Sequence, residues 1–322
     1  MVRMTHRADT LLGTVVDIIV LDFDPQHAQS GVEQAFAEIR RIESLMSYYR
    51  AHSDVSRINN APAGQGVCVS EEVFGLLQQA EIISRMTKGA FDITFAPVWQ
   101  LWNRCADQGR LPLPEEIDDA KALVDFRQVQ LSAESLVVKL GVQSMTINLG
   151  GIAKGYALDR AGDVLKKAGL TNFLVNIGGD VLAMGDGREG KGWKIGIQHP
   201  RRAGELIGAL WIKNGSVLTS GDYERYLEIQ RMRYHHILDA RTGYPSERCL
   251  QVTTVGPGLG AHYLPCVTLF LLGPEAGLKL LEGHPETAAA FITHDGKVVA
   301  TANLTHFLQA PLPSLVDAEQ AI

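Results

Sequence analysis

Two adjacent glycines, Gly150 and Gly151, constrain the fold of this chain more than any other feature of its sequence. The residues before them, 145–149, are predicted to form a strand, and residues 152–168 repeat apolar side chains at helical spacing. Glycine lets the backbone approach a ligand closely, and the first turn of a helix presents N–H groups without intrahelical partners. The turn is therefore either an anion site, with Lys154 adding a positive charge, or a structural connection with a solvated lysine.

Helices flank groups of consecutive strands and do not alternate with them strictly, which favours an α+β fold over a doubly wound sheet. Amphipathic helices are predicted at residues 32–46 and 71–86, the second with Ser70 as its N-cap and Gly89 as its stop. Residues 100–120 are mixed and polar and are predicted to form a surface excursion. Short strands are predicted at 14–23, 136–140, 173–177, 193–197, 206–212, 251–255, 288–293 and 297–301.

The composition bounds the class of protein. A chain of 322 residues, 46% of them hydrophobic, can bury a sizeable core, and we expect one domain over residues 1–309, undivided or built as two lobes, and a loose tail over 310–322. The net charge of −6 gives no reason to expect a nucleic-acid partner. No apolar run approaches the roughly 18 residues of a membrane span. We expect a soluble protein, cytoplasmic as the sequence stands and periplasmic if an export signal has been removed.

A second polar region combines Thr219-Ser-Gly221 with the segment Tyr234-His-His-Ile-Leu-Asp239. Histidine acts as a general base near neutral pH. In a strand, His235 and His236 face opposite sides, so only one imidazole can point into a given site. The alternative is a strand that ends in a turn, with exposed histidines of no catalytic role.

Two further segments carry candidate binding groups. In Gly89-Ala-Phe-Asp-Ile-Thr94, Phe91 can stack on a flat ring and Asp92 can accept a hydrogen bond, although a phenylalanine in this position is more often part of the core. Asn176-Ile-Gly-Gly-Asp180 follows a predicted strand as another turn of close backbone approach. Asp180 is predicted either to contribute to a site or only to accept bonds from neighbouring backbone amides.

Nine motifs follow one another along the chain in a specific order. They are Leu12-Gly-Thr14, Met46-Ser47, Asp54-Val-Ser-Arg-Ile-Asn59, Gly89-Ala-Phe-Asp-Ile-Thr94, Asn148-Leu-Gly-Gly-Ile-Ala-Lys-Gly155, Asn176-Ile-Gly-Gly-Asp180, Thr219-Ser-Gly221, His235-His-Ile-Leu-Asp239 and Thr242-Gly243. In this order they resemble the ApbE family, the FAD:protein FMN transferases, over roughly residues 10–305.

The resemblance implies a compact α+β fold with FAD in a cleft. It also implies an enzyme that splits FAD at the pyrophosphate and passes FMN to a Thr or Ser hydroxyl of a partner protein, with release of AMP. His236 is then the general base for that hydroxyl. The implied FAD contacts are Leu12, Tyr49, Ala90, Phe91, Asp92, Asn148, Lys154 and Ile237. The alternative is an FAD-binding carrier or maturation homologue with weak or no transfer activity.

The resemblance also implies Mg²⁺, held in part by the carbonyl of Gly151. The other ligands in the family come from an Ala-Asp-x-x-x-Thr run before an apolar helix. Here, anchoring on the following Leu-Phe pair places Tyr263 and Val267 at the two ligand positions, and sliding by one residue places His262 and Cys266 there. Neither register supplies the hard oxygen pair that magnesium prefers, so the sequence predicts an eroded metal site, which is the reason for the alternative of weak or no transfer activity.

Overall fold

The computed structural model describes residues 2–257 and 265–315. Its α-helices are α1 (Pro25–Met46), α2 (Asp54–Asn60), α3 (Glu71–Met86), α4 (Ala96–Asp107), α5 (Pro114–Lys121), α6 (Ala153–Lys167) and α7 (Cys266–Leu281). Its strands are β1 (Arg3–Leu11), β2 (Thr14–Asp22), β3 (Val67–Cys68), β4 (Val129–Ser132), β5 (Val137–Leu140), β6 (Phe173–Ile177), β7 (Asp180–Met184), β8 (Trp193–Gln198), β9 (Leu206–Ile212), β10 (Asn214–Gly221), β11 (Tyr226–Ile229), β12 (Met232–His235), β13 (Leu238–Asp239), β14 (Tyr244–Pro245), β15 (Gln251–Gly256), β16 (Ala288–Ile292) and β17 (Val298–Ala300).

The chain divides into two compact units, and the first takes the described residues of Met1–Ile42, Lys154–Gly221 and Arg248–Ile322. In this unit an antiparallel sheet runs in the order β1-β2-β6-β7-β10-β15-β16-β17. Helix α7 contacts β10, β15 and β16. Helix α6 packs closely on β7, since a Cβ at Gly162 would overlap the side chain of Leu182. Strands β8 and β9 form a separate antiparallel pair.

The second unit takes Glu43–Ala153 and Asp222–Glu247. It contains α2 to α5, a small sheet in the order β3-β5-β4, and the hairpins β11–β12 and β13–β14. Trp102 belongs to an apolar cluster and is only 2% exposed. Its indole N–H donates to the carbonyl of Gly243 at 2.8 Å, so the polar end of this large side chain is satisfied within the core.

The α+β prediction is confirmed, and most predicted elements occur within one or two residues of their expected bounds. Ser70 caps α3 as expected, because its side chain accepts a hydrogen bond from the N–H of Val73. Helix α3 ends at Met86, and Gly89 follows it with a φ of 80°, a left-handed conformation that glycine adopts without strain.

The predicted surface excursion at residues 100–120 is wrong. The segment contains most of α4 and all but the last residue of α5, and Trp102 and Ile117 are buried in the core of the second unit. Each of these two short helices has one apolar face and one polar face. The average composition of the segment is therefore polar, although one face of each helix is buried.

The predicted strand at residues 145–149 is also wrong, since no regular strand forms there. The side chain of Asn59 donates to the carbonyl of Ile147 at 2.9 Å and accepts from its N–H at 2.8 Å. The N–H of Asn148 donates to the carbonyl of Ile93 at 2.7 Å. A side-chain amide thus replaces the partner strand, and the backbone groups are satisfied without a sheet.

Part of the expected C-terminal tail is ordered against the first unit. Leu312 and Leu315 pack against its core, and the N–H of Leu315 donates to the carbonyl of Gly296 at 2.9 Å. Residues 316–322 lie outside the described part of the chain. In the part that is described, no helix combines the length and the apolar character that crossing a bilayer requires.

Candidate functional site

The two neighbouring histidines play different roles. In the second unit, β11 pairs with β12 so that Tyr226 lies opposite His235. The Nδ1 of His235 accepts a hydrogen bond from the N–H of Ile237 at 3.2 Å, and its Nε2 lies 3.0 Å from the carbonyl oxygen of Ser246. Because a carbonyl only accepts, Nε2 carries the proton. Both ring nitrogens of His235 therefore hold the local fold together.

His236 is fixed in the opposite tautomer by one carbonyl group. The oxygen of Arg225 accepts the backbone N–H of His236 at 3.0 Å and lies 2.9 Å from its Nδ1. Nδ1 therefore carries the proton, and in the neutral ring Nε2 holds the lone pair. This is the tautomer that a general base acting through Nε2 needs, with Nδ1 oriented by a backbone acceptor.

Asp92, in the segment after α3, has a structural set of contacts. Its carboxylate is 6% exposed and accepts the N–H and hydroxyl of Thr94 at 2.8 and 2.7 Å and the N–H of Phe126 at 2.9 Å. Burial raises the pKa of Asp92, and these hydrogen bonds oppose that rise. Ala90 and Phe91 are also buried, and the carbonyl of Ala90 accepts the N–H of Ala240. The expected flavin contacts of these three residues remain a prediction.

Other predicted contacts in the second unit are placed differently. Tyr49 is 84% exposed, and its ring meets that of Tyr48 edge to face with the centroids 5.3 Å apart. An exposed aromatic ring of this kind is suited to stacking on a flat ligand. Ile237 is buried, whereas the side chain of Asn148 accepts the N–H of Gly150 at 2.8 Å and so shapes the glycine turn.

In the first unit, a second glycine turn presents Asp180 at the start of β7. The turn depends on Asn176, whose side chain accepts the N–H of Gly179 at 2.9 Å. Gly178 and Gly179 have φ values of 59° and 95°, and a Cβ at Gly178 would also overlap Thr14. Only glycine fits the turn at this point.

The carboxylate of Asp180 bridges two other motifs of the first unit. Its Oδ1 accepts the N–H of Thr219 at 3.3 Å, and its Oδ2 lies 3.7 Å from Nζ of Lys154 in the first turn of α6. Asp180 thus accepts from a backbone amide, but that amide lies 39 residues away in the sequence and is not one of the neighbouring amides that were expected. The ion pair to Lys154 adds a charged partner that the sequence did not indicate.

Leu12 and Gly13 form the two-residue turn between β1 and β2, with φ values of 53° and 69°. Both residues are left-handed, as a type I′ hairpin turn requires. Leucine in this conformation costs on the order of 1 kcal/mol relative to a residue that tolerates it. Such strain is often found at ligand-binding positions, in keeping with the predicted role of Leu12 as an FAD contact.

The sequence as a whole matches the family that its motifs resemble. A model of the ApbE family matches residues 12–292. The chain belongs to the ApbE family. It is 34% identical over 278 residues to an FAD:protein FMN transferase of Klebsiella pneumoniae, with 86% of each chain covered. It is 30% identical over 319 residues to an FAD:protein FMN transferase of Treponema pallidum, covering 94% of this chain and 88% of that one.

Solved structures agree with the ApbE assignment. The crystal structure of the ApbE protein from Thermotoga maritima matches with a TM-score of 0.85 at 31% identity, covering 96% of this chain and 100% of that chain. Pseudomonas stutzeri flavinyl transferase ApbE matches with a TM-score of 0.79 at 28% identity, covering 97% and 98%. The fold implied by the motifs is therefore confirmed.

The described residues that the sequence places at the predicted metal positions have side chains that do not suit magnesium. Val267, in the first turn of α7, has no donor atom in its side chain, and Tyr263 lies outside the described residues. The thiol of Cys266 donates to the carbonyl of Val252, and burial raises its pKa to about 12, so it is neutral. Gly151 offers only its carbonyl. Within residues 2–257 and 265–315, no three His, Cys, Asp or Glu side chains are grouped as a metal site.

Three groups with clear roles in these segments were not anticipated from the sequence. They are the carbonyl of Arg225, the side chain of Asn59 and the backbone N–H of Thr219. The first and third are backbone groups and have no signal in the sequence. Asn59 lies in a motif that contributed to the family resemblance, but nothing local indicates that it bonds to a segment 88 residues away.

Proposed function

We propose that this chain is an FAD:protein FMN transferase, which moves FMN from FAD to a Thr or Ser hydroxyl of a partner protein and releases AMP. The observation that carries the proposal is the tautomer of His236. The carbonyl of Arg225 holds the proton on Nδ1, so that Nε2 is the basic nitrogen. Relatives that cover most of the chain bear the name of this activity.

The proposed reaction needs one proton transfer and one displacement at phosphorus. Nε2 of His236 removes the proton of the acceptor hydroxyl, and the oxygen attacks the phosphorus of the FMN half of the diphosphate. The bond from that phosphorus to the bridging oxygen breaks, and AMP leaves with the bridging oxygen. Proton removal by a positioned base contributes about 10²- to 10⁴-fold to such rates.

The other family positions have binding roles in this proposal. Tyr49 offers an exposed ring for the flavin, and Lys154 offers a positive charge for the diphosphate. Leu12, Ala90, Phe91, Asp92, Asn148 and Ile237 complete the proposed FAD contacts. For the buried members of this set, binding through backbone groups is the simplest role, because their side chains are held inside the fold.

No step of the proposed reaction is assigned to magnesium, because the described donor set does not suit that ion. The alternative function, an FAD carrier without transfer, is less well supported, since the relatives reported above are named as transferases. The acceptor of FMN is a protein, as the name of those relatives states.

The test is a mass measurement on an acceptor. The purified chain is incubated with FAD and a flavin-accepting domain that carries its target threonine, and the intact acceptor is weighed. We expect the covalent addition of FMN with an equal amount of AMP released. The control is the same domain with that threonine replaced by alanine. AMP release without a mass shift would mean that the chain hydrolyses FAD. If neither AMP nor a mass shift appears, the proposal is overturned.

A further inference from the structure

The proposed chemistry assigns no role to the Gly178–Gly179 turn or to Asp180, which follows it. The turn requires two left-handed glycines and a hydrogen bond to the side chain of Asn176, and the Asp180 side chain that it positions is 12% exposed. A carboxylate this far from water is costly unless it is paired. A turn that only connected β6 to β7 would not need an acidic residue here.

The partners of Asp180 show what the carboxylate does. The N–H of Thr219 holds Oδ1 at 3.3 Å, which fixes the orientation of the group. Oδ2 then faces Nζ of Lys154 at 3.7 Å, and the lysine side chain is 37% exposed. A lysine stem has four rotatable bonds, and its ammonium is otherwise spread over many positions. The attraction of the carboxylate therefore favours positions of the ammonium close to Oδ2, near the first turn of α6.

We propose that Asp180 is a positioning residue for FMN transfer, which holds the ammonium of Lys154 where the diphosphate of FAD is bound. The inference rests on the proposed function. The pair joins a lysine side chain that is 37% exposed to a carboxylate that is 12% exposed, and at 3.7 Å it is longer than a direct hydrogen bond, so its contribution to stability is small. An aspartate beside an anionic ligand weakens simple attraction, and its presence is explained if orientation of the lysine matters more than net charge.

The experiment compares four variants of the full chain in the FMN transfer assay, with kcat and the KM for FAD measured separately. Asp180→Asn keeps the shape of the side chain and removes its charge, and Lys154→Met removes the ammonium. The double variant tests whether the two residues act together. Asp186→Asn is the matched control, since it breaks the exposed Lys213–Asp186 pair, whose atoms are 2.7 Å apart in the same unit.

We expect Asp180→Asn to lower kcat at least tenfold while the KM for FAD changes less than threefold. The double variant should be no slower than Lys154→Met alone, because the carboxylate acts only through the lysine. Asp186→Asn should match the wild type in both constants. Thermal melting of each variant separates these effects from loss of the fold.

Two results would overturn the inference. The first is an Asp180→Asn variant with wild-type kcat, or with a lower KM and a higher kcat, which would show that the acid only repels the substrate. The second is a double variant whose fold-loss in kcat equals the product of the losses of the two single variants. If Asp180→Asn does not fold, Lys154→Met decides, since an unchanged kcat in that variant also overturns the inference. A wild-type chain that transfers no FMN defeats the proposed function itself, and the two failures are thereby distinguished.

Discussion

The carbonyl oxygen of Arg225 accepts both the backbone N–H and the Nδ1–H of His236, at 3.0 and 2.9 Å. Arg225 lies just before β11, and His236 lies just after β12. The hairpin between them therefore sets the proton position on the imidazole, and the adjacent His235 is held in the opposite tautomer by Ser246. The two histidines should respond differently to substitution.

His236→Ala should lower the rate of FMN transfer by roughly 100-fold or more, because the acceptor hydroxyl loses its base. Binding of FAD, followed by quenching of flavin fluorescence, should stay within a few-fold of the wild type. In contrast, His235→Ala removes two hydrogen bonds of the fold and should lower the melting temperature. If the His236→Ala variant keeps the wild-type rate of transfer, His236 is not the general base.

Glu116 predicts a pH dependence of stability. Its carboxylate accepts two bonds from Arg110, at 2.7 and 2.8 Å, and one from the N–H of Leu113, and these lower its pKa from 4.5 to about 2. Because the pKa is lower in the folded state, the contribution is present above pH 4.5 and is lost as the pH falls towards 2. The folded state of Glu116→Gln should be less stable than that of the wild type at neutral pH.

The measurement is urea unfolding of the wild type and Glu116→Gln at a series of pH values. The difference between their midpoints should shrink as the pH falls from 4.5 to about 2, where the wild-type carboxylate becomes protonated. Glu115→Gln, in the same turn of α5, is the matched control, because it removes a carboxylate and leaves the bonds of Glu116 to Arg110 and Leu113 in place. A difference that stays constant down to the lowest pH would contradict the assignment.

Leu12→Asn should stabilise the fold and weaken the binding of FAD. Asparagine tolerates the left-handed conformation that Leu12 adopts before Gly13, and the gain is expected to be about 1 kcal/mol in the free energy of unfolding. The loss of an apolar contact should raise the Kd for FAD several-fold. Chemical unfolding and flavin titration measure the two effects, and a more stable variant with unchanged affinity would remove Leu12 from the FAD contacts.

Restoring oxygen ligands at the two predicted metal positions should make FMN transfer depend on magnesium. In the wild type, transfer in EDTA should stay within a few-fold of transfer in Mg²⁺, because Val267 and the neutral thiol of Cys266 offer no hard ligand. The variant that combines Tyr263→Asp and Val267→Thr should be faster in Mg²⁺ than in EDTA. Wild-type activity that disappears in EDTA would show that a metal is held by other groups.

Elements whose formation depends on residues adjacent in sequence were predicted well. The Ser70 cap bonds to a residue three positions on, and β2 consists mainly of β-branched and apolar residues, so both can be recognised from the local sequence. The strand expected at 145–149 failed because Asn59, distant in sequence, satisfies Ile147. Burial of Trp102 likewise depends on the remote carbonyl of Gly243. Such contacts are set by the tertiary fold, which overrides local preference.

In the candidate site, too, features set by the local sequence could be predicted and features set by tertiary contacts could not. The order of motifs was sufficient to select His236 and Lys154 as candidates, since side-chain type and spacing are properties of the sequence. The tautomer of His236 was not predictable, because it depends on which backbone carbonyl the hairpin places beside Nδ1. The Lys154–Asp180 pair joins residues 26 positions apart and depends on the close packing of α6 against β7.

The strand order of the large sheet has a consequence for biosynthesis. Strand β10 is paired on one side with β7 and on the other with β15, which follows it after an interval that includes β11 to β14. While the ribosome is still translating that interval, one edge of β10 has no partner, and such edges promote association between nascent chains. Cells that make this protein quickly should therefore accumulate more of it in inclusion bodies than cells that translate it slowly.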